Sequence, residues 1–183
     1  MPKSSAKTLF TGRYLVLNER DDWEFVARHH PVAAIIAWTP NESLLLVEQY
    51  RKPIEKTTIE IPAGLIGDVE GTEQESMLEA AGRELEEETG WRAGHLEEGI
   101  AVPTSAGLSS EYVIFVWAEN LTQVGPGGGD ASEDITVHEV PKAEVDAWLD
   151  DKYRQGYGID PKIYAALYWS QQRRSALLNP TQE

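Results

Sequence analysis

The sequence contains no cysteine among its 183 residues, which excludes a disulfide framework and any thiolate-ligated metal centre and removes the need for an oxidising compartment. Long apolar runs are also missing. The longest, Val32 to Trp38, is far too short to cross a bilayer, which takes about 20 consecutive apolar residues. The start, Met1-Pro2-Lys3-Ser4-Ser5-Ala6-Lys7, leads into no apolar signal core. Positive charge is scarce, with 16 Lys and Arg against 31 Asp and Glu and a formal net charge of -15. Such a field repels nucleic acid and anionic membranes, so neither is expected as a partner, and a phosphate-bearing ligand would need cations gathered locally. No His-Glu-any-any-His zinc motif, no phosphate loop ending in Gly-Lys-Ser/Thr and no Gly-any-Ser-any-Gly elbow occurs. None of the four His residues is assigned a chemical role. A soluble, cytoplasmic protein is expected.

What is present is enough for one core, with 41% hydrophobic residues in a chain of single-domain size. Between Leu9 and Arg28, Tyr14 to Leu17 and Trp23 to Val26 read as two short strands around a polar turn. Val32 to Trp38 and Ser43 to Glu48 read as a central hairpin about Thr39-Pro40-Asn41-Glu42. Thr57 to Ile61 reads as a strand halted by Pro62. Gly64 to Gly71 is loop-like, and a helix is predicted from about Thr72 to Thr89, stopped by Gly90. Tyr112 to Trp117 and Ile135 to Val140 are later strands, separated by a glycine-rich, mobile connection from Gly125 to Ser132. Helices are predicted from Pro141 through Leu149 and from Pro161 to about Leu177. The expected class is α/β with a mixed sheet.

At about 100° per residue, Met77, Leu78, Ala81 and Leu85 form an apolar stripe on the helix before Gly90. Glu79 and Glu86 point away from it, but Glu84 and Glu88 point into its flank, with Glu87 at one edge. Several carboxylates within one and a half turns cannot all ionise in a partly buried site unless a cation joins them or their pKa values rise. Hard oxygen ligands at this spacing suit Mg²⁺ or Mn²⁺. The same angles also describe a Glu-rich helix whose acids all stand in water, and spacing alone does not choose.

A wider pattern does. Glu75 is followed by seven residues and then by Arg83-Glu84-Leu85-Glu86-Glu87-Glu88-Thr89-Gly90-Trp91. This resembles the Nudix box: Gly, five residues, Glu, seven residues, then Arg-Glu-apolar-any-Glu-Glu-any-Gly-apolar. The chain departs at the first glycine, where Val69 stands, while Pro62-Ala63-Gly64 lies earlier, as though the loop were about five residues longer. The resemblance implies the Nudix fold, a mixed β-sheet sandwiched between helices, with an N-terminal antiparallel β extension. It also implies Mg²⁺, with Mn²⁺ as a substitute, held by Glu84, Glu87, Glu88 and the Ala63 carbonyl. Glu75, Arg83 and Gly90 take structural roles, Arg83 pairing with Glu75. The implied organisation is a disordered stretch 1–8, a dimerising β extension 9–30, the hydrolase domain 31–177 and a tail 178–183.

Trp23 to Arg28, Glu48-Gln49-Tyr50-Arg51, Glu60 to Gly64, Gly107 to Glu111 and Glu133 to Val140 resemble stretches of the ADP-ribose pyrophosphatase subgroup, so the likeness runs from residue 23 to about 170. It implies hydrolysis of the diphosphate bond of a nucleoside diphosphate derivative, with ADP-ribose giving AMP and ribose 5-phosphate. Hydrolysis of GDP-mannose or another nucleotide sugar is the first alternative, and a non-catalytic nucleotide sensor the second. Arg51 is a candidate phosphate ligand by its planar fork of donors, with a salt bridge to a nearby acid as the competing role. Glu111 is a candidate ribose contact and Trp23 a candidate base-stacking residue, the latter across the homodimer that the resemblance implies. Glu133 is the candidate general base, with Asp130 and Asp134 as rivals and Glu87 beside them in the catalytic set.

Overall fold

The computed structural model describes residues 4–67, 75–129 and 134–178; Val69, Asp130 and Glu133 lie outside them. It opens on β1 (Lys7–Thr11), β2 (Leu15–Arg20) and β3 (Trp23–Arg28), an antiparallel sheet in that order. The sequence predicts two strands here. The third, β1, begins inside the stretch 1–8 expected to be disordered, because β2 offers it a ladder from Lys7↔Glu19 to Thr11↔Val16.

Further along come β4 (Val32–Ala37), β5 (Ser43–Arg51), β6 (Lys56–Glu60) and β7 (Ala63–Leu65), then α1 (Met77–Thr89), β8 (Trp91–Arg92) and β9 (His95–Pro103). They are followed by β10 (Tyr112–Glu119), β11 (Thr122–Gln123), β12 (Ile135–Pro141), α2 (Val145–Arg154), β13 (Gly158–Ile159) and α3 (Pro161–Leu178). One mixed sheet has the order β7-β4-β10-β9 and a second the order β12-β5-β6-β13. The expected hairpin of β4 and β5 does not form. Past the turn they share a single bridge, Trp38↔Leu44. The edges of β4 are taken by β10, in parallel, and by β7, so β5 diverges to pair with β6 and β12.

Strand β4 is covered on both faces, which is why it reads as an unbroken apolar run. Ala33, Ile35 and Ala37 pack with Leu45, Ala81, Leu85 and Val116, and Ala34 and Ile36 pack with Ile59, Phe115, Leu149 and Ile163. Helix α1 therefore closes one core, and α2 with α3 the other. Burying a residue such as Leu85, fully shielded here, contributes about 1.5–3 kcal/mol.

The helix α1 starts at Met77, later than the predicted Thr72, because Ser76 caps it. The Ser76 hydroxyl accepts from the Glu79 N–H at 3.3 Å while the Glu79 carboxylate accepts from the Ser76 N–H at 2.8 Å, a capping box. At its other end Gly90 takes φ of 73°, the left-handed conformation that stops a helix. Helix α2 begins at Val145 and not at Pro141, since Pro141 remains the last partner of the β12 ladder, opposite Ser43.

Candidate active site

Strand β7, which runs from Ala63 into the stretch from Gly64 predicted to be loop, sits against α1. The Ala63 N–H donates to Glu88 Oε2 at 3.1 Å, and Glu88 is only 4% exposed. Beside it, Gly64 makes room for Glu84: a Cβ at that position would fall 2.1 Å from the Glu84 carboxyl carbon. The two carboxylates that the helical angles turn towards the apolar flank thus meet the chain at consecutive residues.

Arg83 gathers Glu75, Glu84 and Glu87 around it. Its Nε and Nη2 lie 3.3 Å from the two Glu75 oxygens, and its Nη1 lies 2.8 Å from Glu84 Oε1 and 3.1 Å from Glu87 Oε2. Burial works against the guanidinium's charge, but the bonds to Glu75 and the charge of Glu84 outweigh it and raise its pKa. Glu86 stands apart, paired with Arg92.

Beyond Gly64 and Glu84 opens a cleft of about 680 Å³. Three of its lining residues are cations, Arg28, Arg51 and Lys162, each ion-paired with a lining acid: Glu111, Glu60 and Asp160. Arg51, at the end of β5, grips Glu60 on β6 with Nε at 2.7 Å and Nη2 at 2.8 Å, and the Thr58 hydroxyl donates to the same carboxylate at 2.6 Å. Burial alone would raise the Glu60 carboxyl, yet these bonds and the nearby Lys162 prevail and hold its pKa below the ordinary value. Both roles weighed for Arg51 are therefore compatible with its place, since it faces the cleft and makes a salt bridge. Glu111 is largely buried and accepts from the Thr104 hydroxyl at 3.0 Å.

The stretch before Glu111 is docked on β3. Val26 N–H donates to Leu108 O at 2.9 Å, and Ser110 N–H to Val26 O at 3.0 Å. Arg28 and Glu111 are brought together by this docking, a pair that sequence reasoning did not anticipate because neither the docking nor the ion pair is local. Trp23 does not join the cleft within one chain. It is 62% exposed on the N-terminal sheet, with its indole N–H donating to Gly107 O at 3.3 Å. Asp134 is exposed just before β12, while Asp130 and Glu133 lie outside the described residues.

The part of the glycine-rich connection that is described is fastened down, not loose. Gly128 N–H donates to Glu88 O at 2.8 Å and Gly129 N–H to Glu87 O at 3.0 Å.

The donor chemistry fits a hard divalent cation. The acids of α1 offer oxygen alone, Glu84 occupies a cradle that any Cβ at Gly64 would fill, and Glu88 keeps its carboxylate in a buried setting. Among the described residues no three acids or histidines are gathered about one point. Glu84 and Glu87 both bond Arg83 instead, so a cation there would compete with the guanidinium for them. Among the described residues no helix is long and apolar enough to cross a membrane.

Comparison with known proteins gives a match to the NUDIX domain over residues 28–157. The chain is 32% identical over 154 residues to the methanol dehydrogenase activator of Bacillus methanolicus, covering 79% of this chain and 80% of that one. It is 33% identical over 151 residues to the ADP-ribose pyrophosphatase of Mycobacterium tuberculosis, covering 77% and 70%. A solved structure described as an ADP compounds hydrolase superposes with a TM-score of 0.71 at 22% identity, covering 94% of this chain and 93% of that one, and so shares the fold.

Proposed function

This chain belongs to the Nudix family and is a hydrolase of diphosphate bonds, and on that premise we propose that its substrate is ADP-ribose, cleaved to AMP and ribose 5-phosphate with Mg²⁺ as the cofactor. The observation that supports this most is the meeting of Glu84 and Glu88 with Ala63 and Gly64 at the edge of a cleft lined by Arg28, Arg51 and Lys162. Acids suited to a cation and cations suited to phosphate oxygens stand side by side there, in a chain whose overall charge would otherwise repel a nucleotide.

Glu84, Glu87, Glu88 and the Ala63 carbonyl would hold the cation, which when bound neutralises the diphosphate and favours attack by water. The other roles fall to the chain's own groups. Arg83 holds the acids of α1 in register through Glu75 and Glu87. Arg51 and Arg28 offer forked donors to the phosphate oxygens while Glu60 and Glu111 fix their planes. Glu133 is the general base in this reading, and Glu111 contacts the ribose.

The N-terminal sheet supports a homodimer as part of the same proposal. Leu9, Phe10, Tyr14, Leu15 and Trp23 are all exposed on β1–β3 or the turn within it, an apolar surface that a second copy would cover, with Trp23 stacking on the base across the interface. Light scattering at micromolar concentration checks the mass.

The deciding experiment is product analysis after incubation with ADP-ribose and, separately, with GDP-mannose, each with and without Mg²⁺ and beside Glu88→Gln. AMP and ribose 5-phosphate formed only with metal and intact Glu88 is the expected outcome. Preferential cleavage of GDP-mannose moves the substrate to the nucleotide sugars, and binding without cleavage of either points to a sensor.

A further inference from the structure

A helix leaves its last carbonyls without internal partners, and in α1 these belong to the turn that carries Glu87 and Glu88. They are not left to water. Gly128 and Gly129 donate their N–H groups to the carbonyls of Glu88 and Glu87, and Val124 and Gly125 donate to that of Gly90 at 2.8 and 3.1 Å. The segment from Val124 to Gly129 is thus a strap laid along the end of the helix.

Its closeness demands glycine. Gly127 has φ of 68°, and a Cβ there would fall 2.4 Å from the Thr89 carbonyl carbon and 2.6 Å from the Glu88 oxygen. Both are backbone atoms, which cannot swing aside as a side-chain tip would. From the other side, a Cβ at Gly90 would fall 2.2 Å from the Gly125 oxygen. Helix ends ordinarily fray, and a carboxylate on a fraying turn has no fixed position. A site that must hold its ligands to within about 0.5 Å needs their backbone braced.

We propose that Gly127 and Gly128 are positioning residues: by clamping the last turn of α1 they set where the Glu87 and Glu88 carboxylates stand, and hence how well the acid cluster holds its divalent cation. The proposal rests on the metal reading above and adds to it a part of the chain outside the Nudix box. The glycines touch neither substrate nor cation and act through the backbone of α1.

The test is Mn²⁺ binding to the substrate-free protein, followed by the electron paramagnetic resonance signal of free Mn²⁺, at a temperature where circular dichroism shows each variant folded. Gly127→Ala should weaken binding by about tenfold or more, as loss of groups that orient metal ligands does elsewhere. In turnover it should lower kcat while leaving KM for ADP-ribose close to wild type. Gly156→Ala is the control, because its φ of 97° brings comparable backbone strain with no atom within 4 Å of the added Cβ, far along the chain from α1; it should bind Mn²⁺ as wild type does. If Gly127→Ala does not fold, Gly128→Ala carries the test, since its φ of 114° adds strain while the nearest atom to a Cβ is Ile135 O at 3.8 Å; a smaller weakening is expected. A folded strap variant that binds Mn²⁺ like wild type, or a Gly156→Ala that weakens it equally, overturns the proposal. A wild-type protein that binds no Mn²⁺ at all removes the metal reading and this proposal together, whereas normal wild-type binding with an unaffected strap variant removes this proposal alone.

Discussion

Replacing Arg51 by Met tests what the cleft's central ion pair contributes. The substitution keeps the aliphatic stem and removes the guanidinium, leaving the buried Glu60 carboxylate with the Thr58 hydroxyl among its partners. Breaking a fully buried ion pair by removing one member costs about 3–5 kcal/mol. The Arg51 side chain is 42% exposed, so water reaches the gap, and the expected loss at pH 7 is about 2 kcal/mol. In a chain of this size that corresponds to a fall of about 4–8 °C in melting midpoint. The pH dependence has a definite sign. Because Glu60 in the folded wild type titrates below the usual carboxylate value of 4.5, its contribution is complete above that value and fades as pH falls through the folded pKa. Without Arg51, burial pushes Glu60 the other way, so the gap between the two proteins begins to narrow above pH 4.5, as the variant's raised Glu60 takes up its proton, and narrows further below pH 4.5 as the wild type loses its own contribution. Urea denaturation at pH 7 and at about pH 4 measures both, and adding Glu60→Gln to the variant should recover most of the loss. A difference under about 0.5 kcal/mol at pH 7, within the range of ordinary surface substitutions, or a gap that widens on acidification, refutes this account of the pair. Steady-state kinetics on the same variant separates its two roles, since a raised KM for ADP-ribose is expected only if Arg51 also meets the phosphates.

Gly64→Ala should leave the melting midpoint within about 2 °C, because the clash is with the end of the flexible Glu84 side chain, yet cut kcat by about a hundredfold by displacing that carboxylate; a normal rate removes Glu84 from the site. Ser76→Ala breaks the capping box and should cost about 1 kcal/mol of stability by urea denaturation, with kcat little changed at a temperature where the protein stays folded. Glu133→Gln should reduce turnover by about two to four orders of magnitude with an unaltered melting midpoint, and a rate near wild type excludes Glu133 as the base.

The helix and its acids were legible because their signals are local. The Glu spacing, the apolar stripe and Gly90 all lie within a few turns, and α1 obeys them. What was missed depends on distant partners. Strand β9 alternates little, with Glu97, Glu98 and Gly99 in its middle, and it is a strand because β10 offers it an edge. Strand β7 is three residues long and owes its extension to β4. The turn chemistry between β4 and β5 was read correctly as a turn and wrongly as a hairpin, since no local residue says that each strand's edges are already taken. The partner of Arg51 was equally invisible, because Glu60 meets it only once β5 and β6 are paired. The described part of the glycine run shows the reverse error: a composition that signals freedom in an isolated chain here permits a close approach to the backbone at the end of α1.

Strand β4 bears on how the molecule comes apart. Ile35 and Ile36 are neighbours in the chain, yet they belong to different cores, and the strand they share lies inside its sheet between β7 and β10. Loss of β4 would open both cores at once, because it is the wall of both. The amide hydrogens of β4 are therefore expected to exchange with solvent deuterium far more slowly than those of β1, at the rim of a small separate sheet, which a cheaper local fluctuation exposes. The carboxylates carried by α1, which packs on β4, are thus held against the more rigid kind of element, and the surface proposed above for a second copy lies on the more pliant one.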